Sequence, residues 1–266
     1  MTLGPRRIVS LVPSETYNVA RLGALDRLIG RTRYCISPAR AASIPIVGGT
    51  KDVDVDNVIA LNPDLVLANR EENGEKDVQR LIDAGLNVRI VFPRTVDEGL
   101  KDLESLAELL QATDPLLEAS RSLRNRGPID TRDRLRCFVP IWRNPWMTIN
   151  DDTYIGDVLR WLGFTNVFGH RPSTDDGKDT RYPRVTFEEV REAKPDVVLL
   201  PNEPYRFGPK HVALFEPVGV PTARVLCVDG RDLCWHGAWA IEGLARLEGL
   251  VETWVARPDK PGSADS

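Results

Sequence analysis

Two stretches half a chain apart share one pattern, and that repeat restricts the fold more than any other feature of the sequence. "DLVLANREENG" (64–74) follows "VDNVIALNP", and "DVVLLPNEPYRFG" (196–208) follows "FEEVREAKP". In both, a short amphipathic run ends at a proline. An aspartate then opens an apolar, β-branched run, and a polar turn closes it. Ile8 to Val12 matches Cys137 to Ile141 in role, so the repeat extends to a whole lobe. A period of about half the chain implies two similar lobes and not a solenoid.

Each lobe reads as alternating strands and helices. "RIVSLV" is a strand and "SETYNVARLG" a helix, with Ser14 as N-cap and Gly23 as stop. "DNVIALN" (helix), "DLVLA" (strand), "EKDVQRLIDAG" (helix) and "NVRIV" (strand) follow. In the second half "RCFVPIW", "DVVLL" and "ARVLCVD" read as strands. "DTYIGDVLRWLG", "TFEEVREAK", "KHVALFEP" and "HGAWAIEGLARLEGLVETWV" read as helices. Alternation of this kind builds mostly parallel sheets covered on both faces. Between the halves, Leu100, Leu103, Leu106, Leu109, Leu110, Leu116, Leu117 and Leu123 keep helical spacing, and Pro115 breaks or restarts the helix. The expected fold is α/β: two similar, mostly parallel-sheet lobes joined by a rigid helical connector, with a ligand cleft between the lobes. The expected boundaries are 1–97 for the first lobe, 98–133 for the connector, 134–257 for the second lobe and 258–266 for a disordered tail.

Ligands in such folds bind at the carboxyl ends of strands and at helix N-termini. That singles out the turns at 13–16, 33–38, 69–74, 142–148, 201–208 and 230–239. Trp142 and Trp146 flank a proline turn after a strand, and Trp235 lies in another post-strand loop. They serve either as packing at loop bases or as stacking faces for a large flat ring, and the repeat favours stacking. Trp161 and Trp254 sit on helix faces and read as core. His170 and His211 read as surface residues. His236, beside Trp235, is either a hydrogen-bonding loop histidine or an axial ligand of a metal centre. Ser14 and Glu15 open the first helix, where capping and ligand binding are compatible. Glu71, Glu72 and Glu75 form an acidic run, either a solvated face or a docking knob. Asp151 and Asp152 read as a helix start.

Several function classes drop out. A net charge of −4 and the absence of any Lys/Arg block give no footprint for nucleic acid. No apolar run approaches the roughly 20 residues of a membrane span. The four cysteines lack CxxC spacing. No Walker A run, GxGxxG after a strand or GxSxG elbow occurs, so the expectation is not an enzyme and no catalytic cofactor. "MTLGPRRIVSLVP" is too short in its apolar part for the core of a secretory signal.

The order "RIVSLVPSETYNVARLGALDRLIGRTRYC", "IPIVGG", "VDNVIALNPDLVLANREENGEKDVQRLIDAGLNV", then "VPIWRNPWMTINDDTYIGDVLRWLGFTNVF", "LLPNEPYRFGPKHV" and "VDGRDLCWHGAW" resembles the cobalamin-type, helical-backbone substrate-binding proteins of ABC importers, and within them the vitamin B12 binders most. The resemblance covers roughly residues 6 to 256. It implies a bilobal receptor for cobalamin or a related corrinoid, with haem and ferric siderophores as alternatives. Arg31, Arg33, Arg143 and Arg206 keep an anionic siderophore open. By the same resemblance the ligand-contacting tyrosine falls on Tyr34, the aromatic of the "NPxF" turn on Trp146, and a cleft aspartate on Asp232. A family arginine falls on His236 and a family tryptophan on Asn69; both are departures. The importer-docking glutamate falls on Glu75, with Glu203 as its counterpart. The implied partners are the importer's permease and ATPase and a small metal chelate, the protein being a monomer. The implied compartment is the periplasm or cell surface, with a cytoplasmic corrinoid handler as the alternative for a chain without a signal.

Overall fold

The computed structural model describes residues 4–112, 115–129, 135–171 and 181–255, with side chains described to residue 252. The chain forms two compact units: Met1–Arg126 with Trp235–Trp239, and Gly127–Cys234 with Ala240–Ser266.

In the first unit β1 (Ile8–Ser10), β2 (Leu28–Arg31), β3 (Leu65–Asn69) and β4 (Val88–Val91) make a parallel sheet in the order β2-β1-β3-β4. The crossovers carry α1 (Pro13–Arg21), α2 (Val55–Ala60) and α3 (Glu75–Asp83). In the second, β5 (Arg136–Phe138), β6 (Thr165–Asn166), β7 (Val197–Pro201) and β8 (Val225–Val228) repeat that order as β6-β5-β7-β8, again parallel. Its crossovers carry α6 (Tyr154–Trp161), α7 (Phe187–Glu192) and a 3-10 segment, Pro209–Val218. Between the two sheets the chain forms α4 (Val96–Leu110) and α5 (Pro115–Arg126), and at its end α8 (Gly230–Cys234) and α9 (Ala238–Val255).

The repeated lead-in has a physical cause. Asn62 (φ 44°) and Lys194 (φ 47°) take left-handed backbone and end α2 and α7. The aspartate two residues later then turns back on the neighbouring strand. Asp64 Oδ2 accepts from the backbone N–H of Arg6 (2.9 Å) and Arg7 (3.0 Å), and Asp196 Oδ2 accepts from Arg136 N–H (2.7 Å). The arginines close each clamp on the helix end: Arg7 Nη2 donates to Leu61 O (2.6 Å) and Arg136 Nη2 to Ala193 O (2.7 Å). Each clamp fixes where the first strand of a sheet enters beside the third. Leu65–Ala68 and Val197–Leu200, buried on both faces, then supply the sheet cores.

α4 and α5 are two helices broken as Pro115 predicts, and both belong to the first unit. α4 buries Leu100, Leu103, Leu106 and Leu110. Arg124 ties the pair together, reaching Asp97 Oδ1 (2.8 Å) and Glu104 Oε2 (3.0 Å).

Several expectations are corrected. Ser14 is not the N-cap: α1 begins at Pro13, and no side chain caps it. α6 begins after Thr153, whose hydroxyl accepts from Gly156 N–H, and not at Asp151–Asp152. The 209–218 segment winds as 3-10, with Pro217 inside it. His211 is buried, its Nδ1 accepting from Gly208 N–H at 3.0 Å. Trp161 is core as expected, at 2% exposure, and His170 is exposed. The Trp254 side chain and the 258–266 tail lie outside the described residues.

Candidate functional site

In the first unit the turn after β2 presents Tyr34, 55% exposed, with the Arg33 guanidinium 5.8 Å from its ring centre. Ile36 and Ile46, also exposed, lie in the same connection. Arg33 is held by Asp52 through two hydrogen bonds (3.0 and 2.9 Å), and Arg31 is buried with its guanidinium on the Thr32 and Ala42 carbonyls. Arg31 is thus turned into the protein, whereas Arg33 stays exposed in a surface ion pair. Arg143 lies over the Trp146 ring, and Arg206 is exposed.

The sequence places Trp235 and His236 with the second lobe; the structure places both in the first unit. Trp235, half-buried, meets Tyr17 (6.2 Å between ring centres) and Trp239 (5.2 Å) edge-on, while Tyr17 and Trp239 meet at 4.9 Å. Beside this aromatic set lies a buried polar group. His236 Nε2 is 3.4 Å from Ser14 Oγ, and His236 Nδ1 is 3.7 Å from Glu15 Oε1. Asn18 Nδ2 donates to Glu15 Oε1 (2.9 Å), and Asn18 Oδ1 accepts from Ala238 N–H (2.9 Å). Burial raises the Glu15 carboxyl to about 7, against the opposing pull of Arg89 and Asn18. Burial, helped by Arg89, lowers the His236 imidazole to about 4. Both ring nitrogens of this buried imidazole thus lie beside side chains of α1.

In the second unit Trp142 follows β5, 43% exposed, with Tyr205 edge-on at 5.7 Å. Trp146 is different. It stacks on Phe207 (5.9 Å, 10° between planes) and meets Phe187 (4.8 Å) and Phe215 (5.9 Å) edge-on, in a cluster with buried Phe138 and Phe168. One face of Trp146 is therefore already covered by protein. Asp232 is buried and held by Arg246 (Nε to Oδ2 3.0 Å, Nη2 to Oδ1 2.5 Å), so its carboxylate faces an arginine of α9.

Glu75 is exposed at the first position of α3. Glu203 is half-buried and accepts from Cys234 Sγ at 3.3 Å. A Cβ on Gly230 would lie 2.5 Å from Glu203 Cγ, so only glycine admits this approach. Asn69, at the end of β3, is a buried turn-former: its Oδ1 accepts from Glu71 N–H (2.8 Å) and Glu72 N–H (3.2 Å). Tyr17, Trp239 and Tyr205 were missed by sequence reasoning. Tyr205 lies in the repeated turn itself, and the spacing of four from Trp235 to Trp239 was the available signal.

A concavity of about 310 Å³ beside Leu25, Ala39 and Ile44 includes none of these aromatic or buried charged groups. Among the described residues no cluster of His, Cys, Asp and Glu is arranged to hold a metal ion, and no helix is long and apolar enough to cross a membrane.

Two parallel α/β units of one topology, each presenting aromatic side chains at the carboxyl ends of its strands, define a bilobal binding protein. The chain belongs to the periplasmic binding protein family, whose model matches residues 8–213. Among relatives, the vitamin B12-binding protein of Photorhabdus laumondii is 26% identical over 239 residues, 88% of this chain and 82% of that protein. The crystal structure of the periplasmic vitamin B12 binding protein of Vibrio cholerae has the same fold: TM-score 0.76, 17% identity, covering 96% of this chain and 100% of that one. So does the periplasmic heme-binding protein of Roseiflexus sp. RS-1, at TM-score 0.73 and 19% identity, covering 94% and 99%.

Proposed function

We propose that the protein is the substrate-binding component of an ABC importer, taking cobalamin or a related corrinoid outside the cytoplasmic membrane and delivering it to a permease and its ATPase. The exposed aromatic side chains at the carboxyl end of a strand in each unit, Tyr34 after β2 and Trp142 after β5, carry this reading. A corrin ring offers broad apolar faces, and tyrosine and tryptophan cover such faces at low entropy cost. Trp235, braced by Tyr17 and Trp239, supplies a further face. Trp146 packs beneath the second unit's contact surface, Ser14 on α1 meets His236 beside Trp235, and Asp232 ties α8 to α9 through Arg246. The relatives named for vitamin B12 favour the corrinoid. Arg31, buried with its guanidinium on backbone carbonyls, weighs against an anionic ferric siderophore. Glu75 is the docking carboxylate for a basic permease surface. Glu203, turned toward Cys234, serves the fold more than the partner. The protein works as a monomer in the periplasm or at the cell surface.

Titration with cyanocobalamin, following tryptophan fluorescence and corrin absorbance, tests the reading. Saturation at one ligand per chain is expected. Trp142→Ala should weaken binding about tenfold, since one stacked ring contributes on the order of 1–3 kcal/mol. Silence with cyanocobalamin but saturation with haem would move the ligand class, and silence with both would overturn it.

A further inference from the structure

Glu15 and His236 are buried side by side in the first unit, 2% and 5% exposed at their side chains, and tie α1 to the segment that carries Trp235. Among the charged groups facing them are Arg89 on β4 and Asp102 on α4, whose own carboxyl is raised by burial. Arg89 donates to the Asp102 carbonyl (3.0 Å) and lies 3.6 Å from its carboxylate. The remaining neighbours on α1, Ser14 and Asn18, are neutral. Burial of two ionisable groups with one cation already engaged by Asp102 favours the neutral form of both.

We propose that Glu15 and His236 are positioning residues for Trp235 and act as a proton-compensated latch: packing residues 235–239 on α1 buries the carboxyl with its proton and the imidazole without one. This rests on reading Trp235 as a ligand contact. The compensation follows from linkage. A free glutamate loses its proton near 4.5, and a free histidine carries one until 6.5. Between those limits packing adds a proton to Glu15 and removes one from His236. The net uptake is zero, and the packed segment is insensitive to pH. Either group alone is sensitive. In Glu15→Gln the lowered imidazole remains, so the latch weakens as pH falls below 6.5. In His236→Gln the raised carboxyl remains, so the latch weakens as pH rises from 4.5 through about 7.

Hydrogen exchange of the backbone amides at 235–239, corrected for intrinsic rates, reads the latch without ligand. Between pH 4.5 and 6.5 the wild type should show level protection. Glu15→Gln should lose protection toward low pH and His236→Gln toward high pH, each by up to about tenfold per unit, and the double variant should be level again. Parallel profiles in the two single variants would overturn the latch. Should either variant fail to fold, carbon NMR of the wild type at pH 5.5 decides: a protonated Glu15 carboxyl and a neutral His236 are expected, and an ionised pair overturns the proposal. Cyanocobalamin titrations in the same buffers separate the two readings. Affinity that follows the opposed slopes supports Trp235 as a contact. Level affinity with opposed exchange slopes removes Trp235 from the site, overturning the positioning role. No cyanocobalamin binding with opposed slopes refutes the corrinoid reading and leaves the latch.

Discussion

Trp142 and Trp146 flank one proline and look alike in sequence, yet they do different work. Trp142 keeps 43% of its surface, whereas Trp146 is built into the aromatic cluster on Phe207, Phe187 and Phe215. Trp146→Ala should therefore cost about 2–4 kcal/mol in urea unfolding, the range of a large core truncation allowing for partial exposure. Trp142→Ala should move the midpoint little. Equal losses at the two positions would show that Trp142 is packing too. Sequence reasoning found both rings because an aromatic after a strand is a local signal. It did not separate them, because which face is covered depends on Phe187 and Phe207, about 40 and 60 residues away. Asp232 and His236 show the same limit. Their loop is legible, but Arg246 and Glu15, which engage them, come from other elements.

Elements were legible where periodicity was strong. The central strands and α1, α3, α4 and α6 follow from apolar runs and 3.6-residue spacing. β2 and β6 were missed. β6 is two residues long, Thr165–Asn166, and β2 has Gly30 inside it. Each is too short for a period to show in the sequence, and each is fixed by pairing with β1 or β5. Helix starts carry their own chemistry. α4 and α7 both open with a capping box, Thr95 with Glu98 and Thr186 with Glu189. Thr95→Ala and Thr186→Ala should each cost about 1 kcal/mol in urea unfolding. At α7 the box also has a pH signature. Hydrogen bonds from Thr186 and Arg171 hold the Glu189 carboxyl below its usual value. The folded group keeps its charge where the unfolded one has begun to protonate. That stabilisation is present above about pH 4.5 and fades as pH falls. Because the backbone N–H of Thr186 is the main donor to this carboxylate, Glu189→Gln should flatten the acid limb of the stability profile, and an unchanged limb would show that the carboxylate contributes nothing there.

At the scale of the molecule the chain's route matters more than either sheet. Residues Trp235–Trp239 belong to the first unit, while Cys234 before them and Ala240 after them belong to the second. Sequence order places this loop with its neighbours in the second lobe, and only tertiary packing reassigns it. The consequence is cooperativity. Helix α9 starts in the first unit and continues in the second, so either unit unfolding alone breaks that helix, and one coincident transition is expected by circular dichroism and by tryptophan fluorescence. Gly237 is where this coupling is most exposed to test. Its φ of 76° is left-handed, and a Cβ there would lie 2.6 Å from Asn18 Oδ1, the acceptor of Ala238 N–H. Gly237→Ala adds left-handed strain of about 1–2 kcal/mol and displaces a hydrogen bond contributing roughly 1 kcal/mol. The variant should lower the midpoint, and the two probes should separate as the segment releases α1 and the units unfold in turn. Coincident probes at an unshifted midpoint would show that the segment does not couple the units.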